Sequence, residues 1–147
     1  MGIVSRIAGR KAYLDVNVFI YALEGFPEFD GVLEELFAAI DKAAVKAVTS
    51  ELSLAEALIK PFQTGNVQHQ AVYDFAIRNR KAFEVVPVSR SILVEAARLC
   101  ATTGLKLPDA IHVTTALQSG CSVFLTNDEG IKHPGLERIL LSEFAKP

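Results

Sequence analysis

Short apolar runs alternate along the chain with longer segments in which apolar side chains recur every three or four residues. The short runs are rich in β-branched and aromatic residues, which is typical of strands, and the longer segments have the spacing of amphipathic helices. The predicted strands are 11–15, 47–49, 83–88, 122–125 and 137–141. The predicted helices are 16–23, 27–42, 51–63, 67–79, 90–103 and 108–120.

Capping residues stand at several of these borders. Gly25, Gly65 and Gly104 follow predicted helices, where a left-handed residue commonly ends a helix. Ser89 precedes the helix 90–103 as a candidate N-cap. The predicted apolar face of that helix consists of Ile92, Leu93, Ala96, Leu99 and Cys100. Strands separated by helices indicate an α/β protein with a mostly parallel sheet, and apolar strands are expected where both faces are covered.

Composition limits the class of protein. A length of 147 residues fits one domain, so we predict that residues 1–147 form a single domain. Half of the residues are hydrophobic and 22% are charged, which excludes a disordered, collagen-like or coiled-coil chain. The cysteines, Cys100 and Cys121, form no CxxC motif, and the three histidines are far apart. This argues against a zinc site or a disulfide scaffold, and favours a reducing cytoplasm without a membrane partner.

Four acidic residues occupy telling positions. Asp15 and Asp128 follow predicted strands, Asp109 follows Pro108 at a helix start, and Glu56 lies early in the helix after the second strand. In an open parallel sheet, ligands bind outside the carboxyl ends of the strands. Strand ends and the starts of the following helices share that edge. We therefore expect the four carboxylates to converge.

Each acid alone also has an ordinary structural explanation. Asp109 would complement the positive end of its helix, and Ser53 with Glu56 matches a capping box. Asp15 and Asp128 would simply begin turns. Four acids at one edge are harder to explain in this way, because clustered carboxylates repel one another.

A cluster of carboxylates suits a hard divalent cation, Mg²⁺ or Mn²⁺, and such a site suits metal-assisted hydrolysis of a phosphodiester. The formal net charge of −2 does not contradict a phosphate substrate, because it becomes +2 when these four acids are set aside. Lys106 and Lys132 lie beside the acids in sequence and are candidate phosphate contacts.

Four segments together resemble a PIN domain, in order and over nearly the whole chain. They are 13–21 (YLDVNVFIY), 53–56 (SLAE), 107–112 (LPDAIH) and 124–128 (FLTND). The chain length resembles that of VapC-type toxins of toxin–antitoxin pairs. The resemblance implies a three-layer α/β/α sandwich and a Mg²⁺- or Mn²⁺-dependent ribonuclease that acts on RNA, is a homodimer, and is blocked by a cognate antitoxin.

The resemblance also implies roles for individual residues. The metal is held most directly by Asp15 and Asp109, and the acidic site is completed by Glu56 and Asp128. Asn17 and Thr126 match supporting positions that orient the acids by hydrogen bonds.

Two positions depart from the family pattern. Val16 stands where the family often has a threonine, which removes one hydroxyl near the metal. Lys106 stands where an arginine is common, which keeps the charge but loses the bidentate fork.

Other interpretations remain open at this stage. His112 follows Asp109 by three residues, and we interpret it as a hydrogen-bonded helix residue near the site rather than as a general base. One alternative is a degenerate domain that binds a partner protein. The other is a phosphohydrolase that forms an aspartyl-phosphate on Asp15, although the second acid of that motif is replaced by Asn17.

Overall fold

The computed structural model describes residues 2–145 and has one sheet of five strands. The strands are β1 (Lys11–Leu14), β2 (Lys46–Ser50), β3 (Phe83–Val86), β4 (Val123–Thr126) and β5 (Glu137–Leu140). Their order is β3-β2-β1-β4-β5, and all neighbouring pairs are parallel. The predicted α/β architecture with a parallel central sheet is therefore confirmed.

A loop connects β4 to β5, and helices precede β1 and connect the first four strands. The helices are α1 (Ile3–Ile7), α2 (Val16–Glu24), α3 (Asp30–Asp41), α4 (Glu51–Thr64), α5 (Val67–Ala76), α6 (Arg90–Thr103) and α7 (Leu107–Gln118). Short 3₁₀ turns span Pro27–Phe29 and Leu141–Phe144. Within residues 2–145, no helix has both the length and the apolar character needed to cross a membrane.

The sheet is covered on both faces, which makes three layers. Ala12 and Leu14 of β1 belong to a core that includes buried residues of α1 to α5. Tyr13, between them, points to the opposite face and packs with Phe124 of β4 and Val113 of α7. This alternation is the period-two pattern of a strand buried on both sides.

The order of the strands places β1 and β4 at the point where the chain changes direction across the sheet. From β1 the chain moves outward to β2 and β3, and it then returns to β4 on the other side of β1. The crevice at the carboxyl ends of two such strands is where ligands bind in this architecture.

Most capping residues act as predicted. Gly25, Gly65 and Gly104 end α2, α4 and α6 in the left-handed conformation. The Ser89 hydroxyl accepts a hydrogen bond from the backbone N–H of Ile92 at the start of α6.

Several local predictions need correction. The helix predicted over 27–42 begins as a 3₁₀ turn, and the helix predicted to reach Asn79 ends at Ala76. The Asn79 side chain instead accepts a hydrogen bond from the backbone N–H of Val85, which draws the chain toward β3. Leu93 is 42% exposed and lies outside the buried face of α6.

Candidate functional site

Asp15 is held rigidly at the junction of β1 and α2. It is the N-cap of α2, and its Oδ1 accepts a hydrogen bond of 2.8 Å from the backbone N–H of Val16. Its Oδ2 accepts a hydrogen bond of 2.7 Å from the hydroxyl of Thr126. Only 5% of the residue is exposed. Because the backbone of residue 16 serves this carboxylate, the valine at that position does not leave Asp15 without local support.

Thr126 connects two of the predicted acids. Its hydroxyl donates to Asp15 and accepts from the backbone N–H of Asp128 at 3.0 Å. The Asp128 side chain is exposed and accepts from the backbone N–H of Gly130, so it also shapes a turn. One buried hydroxyl at the end of β4 thus orients Asp15 and anchors the turn that carries Asp128.

The third of the predicted acids, Glu56, lies in α4. The capping-box interpretation of Ser53 and Glu56 is wrong, because the N-cap of α4 is Ser50, which accepts from the N–H of Leu52. The Oε1 atom of Glu56 lies 2.6 Å from Nε2 of His112. Glu56 is therefore turned toward α7 rather than back toward its own helix end.

Asp109 is half-buried in the first turn of α7, and the charges of the other three acids act on it. Burial raises the pKa of Asp109 above its ordinary value, and the negative charges of Asp128, Asp15 and Glu56 raise it further, while His112 opposes them. Burial also raises the pKa of Asp15. Asp109 thus lies within reach of the charges of Asp15, Glu56 and Asp128.

The donor set consists of hard oxygen ligands, which suits Mg²⁺ or Mn²⁺. Asn17, in the first turn of α2, carries the one side-chain nitrogen or oxygen atom in residues 2–145 that is buried without a hydrogen-bond partner, its Oδ1. An unpartnered buried oxygen is costly, and a nearby cation would satisfy it. As the side chains stand in the described chain, however, no three histidine, cysteine or acidic groups lie close enough together to hold a metal ion.

The two candidate phosphate contacts lie on different parts of the surface. Lys106 is the N-cap residue of α7, three residues before Asp109. Lys132 follows the turn of Asp128, on a surface shared with His133 and Arg138. Both lysine side chains are exposed and free to meet a ligand from solvent.

His112 is buried and hydrogen-bonded beside the acids, which confirms its interpretation as a helix residue bonded near the site. Its other ring nitrogen, Nδ1, lies 2.5 Å from the hydroxyl of Tyr13. Sequence analysis missed Tyr13. The available signal was its place two residues before Asp15, on the same face of β1.

Comparisons with known proteins agree with this architecture. A family model described as PIN domain matches residues 12–136. A curated but uncharacterized protein of Archaeoglobus fulgidus is 46% identical over 56 residues, which are 36% of this chain and 90% of that protein.

Two solved structures are similar in fold. VapBC2 from Rickettsia felis, bound to a DNA fragment from its promoter, is 18% identical with a TM-score of 0.67, over 88% of this chain and 98% of that one. The sarcin–ricin-loop-cleaving toxin VapC20 of Mycobacterium tuberculosis is 15% identical with a TM-score of 0.62, over 77% and 86% of the two chains. At these identities the similarity concerns the fold.

Proposed function

The chain belongs to the PIN domain family, and from that premise we propose that it is a Mg²⁺- or Mn²⁺-dependent endoribonuclease that hydrolyses phosphodiester bonds of RNA. The observation that carries this proposal is that Asp109, in the first turn of α7, lies within reach of the negative charges of Asp15, Glu56 and Asp128. Carboxylates that repel one another in this way are stabilised when a bound cation neutralises their charges.

In this proposal, Asp15 and Asp109 hold the cation most directly, and Glu56 and Asp128 complete the acidic site. The cation supplies an activated water and stabilises the charge that develops on the phosphate. Asp15 is suited to this role because Thr126 and the backbone of Val16 fix both of its oxygens. A carboxylate oxygen has a second lone pair, so these hydrogen bonds do not prevent it from binding a cation.

The remaining residues serve the substrate and the geometry of the site. We assign contacts with RNA phosphates to the exposed Lys106 and Lys132. The unpartnered Oδ1 of Asn17 offers a further neutral oxygen at the same edge.

The proposal is tested by mapping RNA 5′ ends in cells that express the protein, with Asp109→Asn as the inactive control. We expect new ends at a few defined sites that are absent with the variant. Purified protein should reproduce the cleavage with Mn²⁺ and lose it with a chelator. Full activity of folded Asp109→Asn contradicts the assignment, and a folded protein that yields no new ends favours the partner-binding domain.

The aspartyl-phosphate alternative is disfavoured by the residue at position 17. That chemistry needs a second acid as general acid and base beside the nucleophile, and this chain has Asn17 in that place.

We also propose that the protein is the toxin of a toxin–antitoxin pair and binds its antitoxin in an apolar groove between α2, α3 and α5. This groove has a volume of about 550 Å³. Its walls include Phe19, Phe37 and Phe75, and the Phe75 ring is 75% exposed. The similar structures include a toxin–antitoxin complex from Klebsiella pneumoniae. An exposed apolar surface of this kind is typical of a protein-binding site.

Phe75→Ser tests the groove, with Phe62→Ser as the control. Phe62 is 63% exposed but does not line the groove. When the chain is co-expressed with the protein encoded beside it, we expect Phe75→Ser to lose that partner and Phe62→Ser to retain it. Equal retention by both variants contradicts this placement. The predicted homodimer stays a prediction, which light scattering of the purified chain would check.

A further inference from the structure

A buried chain of hydrogen bonds leads from the sheet to Glu56. The Tyr13 hydroxyl lies 2.5 Å from Nδ1 of His112, and Nε2 of His112 lies 2.6 Å from Oε1 of Glu56. Tyr13 is fully buried and His112 is 1% exposed, whereas 28% of the Glu56 side chain is exposed. This series of hydrogen bonds therefore begins in the core and ends at the rim of the acidic site.

Tyr13 and His112 both lie close in sequence to a proposed ligand. Tyr13 is in β1, two residues before Asp15, which follows the strand as the N-cap of α2. His112 follows Asp109 by three residues on α7, which places the two on neighbouring positions of the helix surface. The hydrogen bonds thus join the three elements that carry or directly precede Asp15, Glu56 and Asp109.

The direction of the hydrogen bond to Glu56 follows from the donors available. An ionised carboxylate only accepts, so the hydrogen between His112 and Glu56 belongs to Nε2. At the other end of the ring, Nδ1 and the hydroxyl of Tyr13 share the second hydrogen bond.

The ring atom that contacts Glu56 also lies near a second carboxylate. Nε2 of His112 is 4.0 Å from Oδ1 of Asp15, besides its shorter contact with Glu56. A glutamate side chain loses rotamer entropy when it is fixed. The hydrogen bond at Oε1 fixes the Glu56 side chain before a cation binds, so this entropy is not lost on cation binding. The other oxygen, Oε2, remains available to a cation.

We propose that Tyr13 and His112 are positioning residues, which hold Glu56 toward the other acids through the hydrogen bond between Nε2 of His112 and Oε1 of Glu56. The consequence for catalysis rests on the proposed function. The hydrogen-bond chain itself is a property of the protein without metal or RNA, so it is testable separately.

The first test is the ¹⁵N NMR spectrum of the imidazole in metal-free protein. We expect a buried His112 that carries a hydrogen on Nε2, and a change in the Nδ1 shift in Tyr13→Phe. Tyr21→Phe is the matched control, because it removes a hydroxyl from the α2 ring that stacks on Phe29. An Nε2 that carries no hydrogen, or an unchanged spectrum in Tyr13→Phe, overturns the proposal.

The second test is the dissociation constant for Mn²⁺ alone, measured from the EPR signal of the free ion. We expect His112→Leu to weaken binding roughly 10- to 100-fold, as for other residues that orient metal-binding carboxylates. His112→Gln should recover much of the loss, because its amide also offers a donor to Glu56. A merely structural role would lower the melting temperature and leave the dissociation constant unchanged, which overturns the proposal.

Tyr13→Phe covers the case in which His112→Leu does not fold, because it removes one oxygen atom and keeps the ring stack on Phe124. The two hypotheses fail separately. Wild-type protein that cleaves RNA, with Mn²⁺ affinity unaffected in folded Tyr13→Phe and His112→Gln, overturns the positioning role alone. Suppose that Nε2 of His112 carries a hydrogen and that the variants bind Mn²⁺ more weakly, but that the wild-type protein cleaves no RNA. That result supports the positioning role and contradicts the proposed function.

Discussion

Thr126 shows how much of the site depends on a single hydroxyl. It is fully buried, it donates to Asp15, and it accepts from the backbone of Asp128. Since β1 and β4 are neighbours, this hydroxyl couples the ends of the two strands at which the sheet changes direction. A residue that binds neither metal nor RNA thereby sets the spacing of two proposed ligands.

We expect Thr126→Val to lower the free energy of unfolding by about 1–3 kcal/mol, because a buried carboxylate and a backbone N–H lose their partner. Mn²⁺ affinity should fall roughly 10- to 100-fold. Denaturant titration and EPR measure the two effects. Thr126→Ser keeps the hydroxyl and is the matched control. Valine and serine variants with equal Mn²⁺ affinity would show that the hydroxyl does not orient Asp15.

The raised pKa of Asp109 makes a prediction about stability and pH. Its folded pKa lies above its unfolded value, so its contribution to stability is full below the unfolded pKa and is lost as the pH rises through the folded pKa. In chelator, Asp109→Asn should therefore gain stability relative to the wild type at neutral pH. This advantage should shrink as the pH falls toward 4. An advantage that grows on acidification would contradict the repulsion described here.

Sequence analysis could single out the four acids because strand ends and helix starts leave readable patterns. It could not connect Tyr13 with His112, since their hydrogen bond joins residues 99 positions apart and depends on how α7 lies against β1. The same holds for Thr126, whose bond to Asp15 depends on the pairing of β1 with β4.

At the scale of elements, the helix borders follow local chemistry where a cap is present. α4 and α6 each begin with a serine that accepts a backbone hydrogen bond and end at a glycine with a positive φ. The predicted helices were wrong where contacts with residues distant in sequence determine whether a helix forms or where it ends. α5 stops early because Asn79 bonds to β3, and α1 was not predicted because its five residues bury only Ile3 and Ile7.

Ser89→Ala tests the cap of α6. We expect the free energy of unfolding to fall by about 1 kcal/mol, because the N–H of Ile92 loses its acceptor. Ser91→Ala removes an exposed hydroxyl two residues later and should leave the free energy of unfolding nearly unchanged. Thermal or denaturant unfolding measures both, and RNA cleavage by Ser89→Ala should persist. A similar loss in the two variants would mean that the serine side chain does not cap the helix.

At the scale of the whole molecule, the charge distribution limits how RNA is bound. The chain has 15 basic and 17 acidic residues, and the proposed phosphate contacts are two exposed lysines. Binding should therefore rely on a few contacts at the acidic edge rather than on an extended basic surface.

The logarithm of the association constant of Asp109→Asn for a single-stranded RNA should fall with the logarithm of salt concentration with a slope of about −1 to −3, at roughly 0.7 for each contact. Lys132→Gln should make the slope shallower by about one contact. Lys42→Gln, at the exposed end of α3, should leave it unchanged. Fluorescence anisotropy gives these slopes. A much steeper slope would require a basic surface elsewhere.

The pairing of β1 with β4 also has a consequence for synthesis on the ribosome. The hydrogen bond between Thr126 and Asp15 spans 111 residues, so the first acid of the site has its orienting partner only after most of the chain has been translated. Domains fold as units while ribosomes add roughly 5–20 residues per second. A nascent chain that ends before β4 carries Asp15, Glu56 and Asp109 without the strand that aligns them. We therefore expect the proposed nuclease to remain inactive until β4 has been synthesised and has paired with β1.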